Sequence, residues 1–63
     1  MDAAQKIKNG IRECVGMYRH IEDGKWGALY YDWANDSWLW QTSRGEVRYD
    51  VVVDPAKVVP LPH

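Results

Sequence analysis

The sequence predicts a mainly β domain, an antiparallel meander behind an N-terminal helix. Three segments carry that prediction: residues 25–33 (KWGALYYDW), 37–43 (SWLWQTS) and 46–53 (EVRYDVVV), each rich in aromatic and β-branched side chains. Asn35-Asp36 and Arg44-Gly45, both short turn signals, separate them. The two hairpins can then be registered independently. A two-residue turn at Asn35-Asp36 sets Trp33 opposite Trp38 and Tyr31 opposite Trp40; one at Arg44-Gly45 sets Trp40 opposite Tyr49 and Trp38 opposite Val51. Both place Leu29, Tyr31, Trp33, Trp38, Trp40, Val47, Tyr49, Val51 and Val53 on one face. Ala28, Tyr30, Asp32, Leu39, Gln41, Ser43, Arg48, Asp50 and Val52 take the other. A mainly apolar face backed by a largely polar one is what a half-buried antiparallel sheet requires.

The N-terminal third supports two readings. Asp2 followed by Gln5 resembles a capping box and predicts a helix starting at residue 3. Ala4, Ile7, Ile11, Cys14, Tyr18 and Ile21 keep helical spacing, so one long helix packed on a three-stranded sheet (an α+β fold) is the alternative. Asn9, Gly10 and Gly16 oppose it, since each interior Gly costs about 1 kcal/mol relative to Ala. The favoured division is a helix within residues 1–14 and a single domain completed by a β-meander or small barrel over 15–61. In that division Val15–Ile21 is a strand, joined to the next by the hairpin signal Asp23-Gly24. At the other end, Asp54-Pro55-Ala56-Lys57 predicts one short helical turn with Pro at its first position. Val58–Leu61 then reads as a short edge strand, where Pro60 is tolerated.

Gly16-Met17-Tyr18-Arg19-His20, Gly24-Lys25-Trp26-Gly27, Trp38 with Trp40, and the terminal turn and strand over 54–61 together resemble SH3-like small barrels. The resemblance covers residues 15–61 and implies a barrel to which the N-terminal helix is added. Plasmid-borne type II dihydrofolate reductases share this size and general layout. Their active-site Val-Gln-Ile-Tyr motif has no counterpart here, so none of their residues is carried over.

Composition narrows the function classes. A chain of 63 residues buries only about 60% of its unfolded surface, and such scaffolds commonly rely on a staple, a partner subunit or very large core residues. Cys14 is the sole cysteine, which excludes an internal disulfide and suits a reducing, cytoplasmic setting. Cys14, His20 and His63 lack zinc-ligand spacing, so neither a metal nor another cofactor is expected. Four Trp and four Tyr supply bulk, and homo-oligomerisation is as well supported as a monomer. Eight Lys+Arg against nine Asp+Glu give a net charge of −1, without the basic excess typical of phosphate-binding domains. The opening Met-Asp-Ala-Ala-Gln lacks a signal-peptide layout and no apolar run approaches a membrane span, so no membrane association is expected.

Candidate sites follow from parity and exposure. Trp33, Trp38 and Trp40 are assigned to the core, whereas Trp26 has the opposite parity and is the candidate binding anchor. Tyr30, Leu39 and Arg48 complete a candidate partner-binding surface, with Arg48 positioned to pair with Asp32 or Asp50. Those two carboxylates are expected about 9–10 Å apart across two strand spacings. A flat exposed face gives neither a raised pKa, and Cys14 with His20 makes no implied nucleophile–base pair, so no catalytic residue is assigned. The sequence therefore points to a non-enzymatic protein-interaction module, such as a small regulator or inhibitor carried by a mobile genetic element. A nucleic-acid-binding barrel using Arg19 and Lys25 is the first alternative. An oligomeric enzyme with its active site between subunits is the second.

Overall fold

The computed structural model describes residues 1–62, with Arg44 through its backbone only. Asp2 caps helix α1 (Ala3–Lys8) by accepting the Gln5 backbone N–H at 2.9 Å. The helix stops at Asn9-Gly10, where Gly10 takes a left-handed φ of 61° that other residues adopt at a cost. Helix α1 is thus shorter than the 1–14 span expected, and Cys14 lies inside the first strand rather than at a helix end. Strand β1 (Arg12–His20) therefore begins earlier than the expected residue 15, and the long-helix alternative does not form.

Four further strands follow: β2 (Trp26–Asp32), β3 (Ser37–Arg44), β4 (Val47–Val52) and β5 (Val58–Pro60). A 3-10 turn over Pro55–Lys57 precedes β5 and is capped by Asp54, which accepts the Ala56 N–H at 2.9 Å. All pairings are antiparallel, in the order β4-β3-β2-β1-β5. β4 and β5 are the two edges, so the sheet stays open where the SH3-like resemblance implied a closed barrel.

Both predicted registers shift by two residues. The β2–β3 connection is a four-residue turn, Trp33–Asp36, and pairs Tyr31 with Trp38 and Leu29 with Trp40. The β3–β4 turn is Gly45-Glu46 rather than Arg44-Gly45, so Thr42 faces Tyr49 and Trp40 faces Val51. A shift of two leaves every side chain on its predicted face, because side chains alternate with period two. In β1 an extra residue, Val15, interrupts the pairing with β2 between Cys14 and Gly16, a β-bulge. The bulge reverses parity along the strand, so Arg12 and Cys14 share a face with Met17 and Arg19.

The core lies on the predicted face and is small. Leu29, Trp40, Val53 and Val58 form it, with Tyr18 and Trp38 packed against its side. Not every residue assigned to that face joins it. Val47 and Val51, on the edge strand, are 66% and 37% exposed. Trp33 falls in the turn and packs toward the helix instead. Its Nε1 donates to Glu13 at 3.4 Å, and Lys6 Nζ sits 4.8 Å above its ring while bridging to Glu13 at 2.9 Å. That cluster, with the Trp33 N–H donating to the Ile11 carbonyl at 3.0 Å, ties the N-terminal segment to the sheet. The Lys6 hydrogen bond, with that of the Trp33 indole N–H behind it, holds the Glu13 carboxyl below its usual pKa.

The sheet leaves much of itself uncovered. The radius of gyration is 12.5 Å, against about 10.6 Å for a compact chain of this length. Accessible surface is 4730 Å², against about 4,200 Å² expected from mass.

Candidate functional site

The outer face collects the residues whose parity opposes the core. In β2 and β3 the rows run Ala28–Gln41 and Tyr30–Leu39, continuing to Asp50 and Val52 in β4. From β1 the face receives Arg12, Met17 and Arg19, opposite Asp32, Ala28 and Trp26 respectively. Two depressions lie along it and share Gln41.

The larger is an open groove of about 580 Å³ bounded by Met17, Lys25, Trp26, Ala28, Ser43 and Arg48. Trp26 is 63% exposed and Met17 42%. Trp26 stands free because Gly27, beside it, is buried against Trp40 and anchors the backbone while the indole points away from the core. Lys25 and Arg48 give the groove positive charge, and none of its lining residues is acidic.

The smaller depression, about 190 Å³, is lined by Arg12, Tyr30, Leu39, Gln41 and Asp50. Its electrostatics centre on Arg12, whose guanidinium approaches Asp32 and Asp50 at 3.7 Å each. Arg48 was the expected partner of these carboxylates; the bulge and register bring Arg12 to them instead. Asp32 is buried and organises the β2–β3 turn, accepting the Asn35 side-chain amide at 2.9 Å and the Ala34 N–H at 3.1 Å. The Asn35 hydrogen bond, above all, holds the Asp32 carboxyl below its usual pKa against the opposing effect of burial.

A lowered folded-state pKa stabilises the fold above the unfolded carboxyl pKa, about 3.9, and that contribution disappears as pH falls through the folded value. Asp32→Asn is therefore expected to lower the urea midpoint at pH 7. Its deficit relative to the parent should shrink steadily below about pH 4. A deficit that is the same at pH 7 and pH 2.5 would show that the charge of Asp32 does not matter.

The predicted partner-binding residues are only partly brought together. Trp26 and Arg48 share the groove, and Tyr30 lies half-buried in the neighbouring depression. Leu39 lines that depression but is 9% exposed, so it forms floor rather than a contact knob. Arg19 pairs directly with Trp26, which puts both residues of the nucleic-acid alternative, Arg19 and Lys25, beside the indole. Met17 was missed although the β1–β2 hairpin alone puts it opposite an outer-face residue, Ala28. Arg12 was missed because its face depends on the bulge, which no local residue announces.

Cys14 is exposed on the outer face, while His20 turns inward. The His20 ring lies 5.3 Å from that of Trp40, and its Nδ1 accepts the Glu22 N–H at 3.2 Å. The two side chains are on opposite faces and make no pair. Among the described residues, no group of three or more His, Cys, Asp or Glu side chains is placed to hold a metal ion. His63 lies outside the described residues. No helix among the described residues is long and apolar enough to cross a membrane. Compared with protein-family models, with curated proteins and with solved structures, the chain matches none.

Proposed function

We propose that the chain is a non-enzymatic protein-interaction module that binds through the outer face of its sheet, with Trp26 as anchor. One observation carries this reading: a tryptophan 63% exposed at the rim of an open groove, with a half-exposed methionine and two cations around it. Solvated indoles flanked by Arg are the residue types that dominate binding hot spots. The groove chemistry favours a protein segment offering an apolar side chain to Trp26 and Met17 and a carboxylate to Lys25 or Arg48. The chain layout is in keeping with an SH3-like module, in which a meander, a 3-10 turn and a short strand beside the first make the scaffold.

The test is capture of partners from lysate of the source cells by tagged protein, with and without nuclease. Trp26→Ala is expected to weaken a nuclease-resistant partner at least about 30-fold, the loss of a hot spot of 2 kcal/mol. Tyr30→Ala is expected to weaken it less. Both should leave the far-ultraviolet circular dichroism unchanged. Normal binding by both variants would refute the assigned surface.

The pairing of Arg19 with Trp26 favours a second reading, in which the indole stacks on a base of single-stranded nucleic acid and the cations track its backbone. Capture that vanishes with nuclease, and affinity that falls steeply with salt, would select it.

A further inference from the structure

The β4 edge of the sheet is left unpaired. Val53, just past the end of β4, donates its N–H to the Trp38 carbonyl of β3 at 3.0 Å. In an antiparallel ladder the direction alternates, so Val47, Tyr49 and Val51 also turn their backbone groups toward β3. Arg48, Asp50 and Val52 turn theirs outward, to an edge with no neighbour. Natural edges of this kind are usually blunted by proline, a bulge, charged side chains (lysine above all) or a covering segment. β4 (VRYDVV) has no proline, bulge or lysine, its two charges are of opposite sign, and the sheet order puts no strand beside it. Its apolar side chains are left in solvent: Val47 is 66% exposed, Val51 37% and Val52 74%.

We propose that this edge is the interface of a symmetric homodimer, in which β4 pairs antiparallel with β4 of a second copy about a two-fold axis at Tyr49. The charges select that register. Centred on Tyr49, Arg48 of each copy faces Asp50 of the other, giving two opposite-charge pairs on the outer face. Val47 faces Val51 twice, and the two tyrosines face each other. Centred on Arg48, the arginines would confront each other and Asp50 would meet Glu46. Centred on Asp50, the two aspartates would collide. Directly opposed like charges destabilise a strand pair, so both neighbouring registers are disfavoured. A one-residue slip would turn the apolar residues to the wrong face.

The backbone agrees with the side chains. Outward-facing Arg48 and Asp50 form the hydrogen-bonded pairs of the Tyr49-centred register, and Tyr49 forms the closer, non-hydrogen-bonded pair at its centre. The contact is isologous and closes on itself, and it joins the two five-stranded sheets into one. It leaves the edge at β5 untouched and does not depend on the role given to Trp26.

Sedimentation equilibrium over a wide concentration range tests the proposal. The protein is expected to show a monomer–dimer equilibrium. Asp50→Arg and Arg48→Asp should each weaken it at least about tenfold, since each converts two attractive pairs to repulsive ones. The double variant R48D/D50R restores opposite charges in the same register and should return association to within about threefold of the parent. If Asp50→Arg fails to fold for want of its contact with Arg12, Arg48→Asp and the double variant carry the comparison. Amide hydrogen exchange supplies the second readout. Arg48 and Asp50 amides should gain protection with protein concentration, while Val47, Tyr49 and Val51 stay protected throughout. A monomer up to about 1 mM, or a dimer indifferent to both charge reversals, would overturn the proposal.

Discussion

Trp40→Ala is expected to leave most molecules unfolded at 25 °C without denaturant. Trp40 is 4% exposed and is the largest member of the core it forms with Leu29, Val53 and Val58. Truncating a buried Trp to Ala costs about 3–5 kcal/mol. The single core of a chain of 63 residues rarely supplies more than about 3–5 kcal/mol in total. The His20 ring would lose its 5.3 Å neighbour as well. Trp40→Phe should behave differently. The indole Nε1 is buried without a hydrogen-bond partner, so Phe removes an unpaired donor while sacrificing only part of the ring. A loss of about 1–2 kcal/mol and a retained urea transition are expected. A Phe variant as unstable as the Ala variant would refute the packing account.

Gly27→Ala should come next, at about 3 kcal/mol, the upper end of overpacking costs. A Cβ at this position would overlap the Gln41 backbone carbonyl oxygen and lie 2.8 Å from Trp40 Nε1. The indole can shift, but the carbonyl belongs to the neighbouring strand and cannot retreat without breaking the β2–β3 ladder. Trimming Trp40 therefore should not rescue Gly27→Ala. Near-wild-type melting of Gly27→Ala would mean that the two strands separate more easily here than their ladder implies.

These expectations show where the sequence was legible. Facial assignment survived two register shifts because a shift of two preserves parity, and the core residues Leu29, Trp40 and Val53 were placed correctly for that reason. The terminal turn was legible because Asp54 and Pro55 act locally, as did Asp2 at the helix start. What escaped prediction was a turn held by its own side chains and a bulge within a strand. The β2–β3 turn grew from two residues to four because the Asp32 carboxylate binds Ala34 and Asn35, which put Trp33 outside the sheet. Val15 carries no mark that it will bulge, yet the bulge decides that Arg12, rather than Arg48, meets Asp32 and Asp50. Of the candidate site, Trp26 and Arg48 were found by parity alone. Parity from the first hairpin also reaches Met17, whereas Arg12, before the bulge, lay beyond that method.

The attachment of β5 has a consequence in time. Each hairpin of the meander closes a short loop, whereas β5 joins β1 through the pairs Tyr18–Pro60, Arg19–Val59 and His20–Val58, flanked by the Ile21–Lys57 and Leu61–Met17 hydrogen bonds, across about 40 residues of chain. Contacts of such separation form late and, being few, open first. Val58, 5% exposed, travels with that strand. The aromatic centre is thus sealed by a strand that arrives late, and an excursion of the C-terminal segment would uncover the side of the core that Val58 closes.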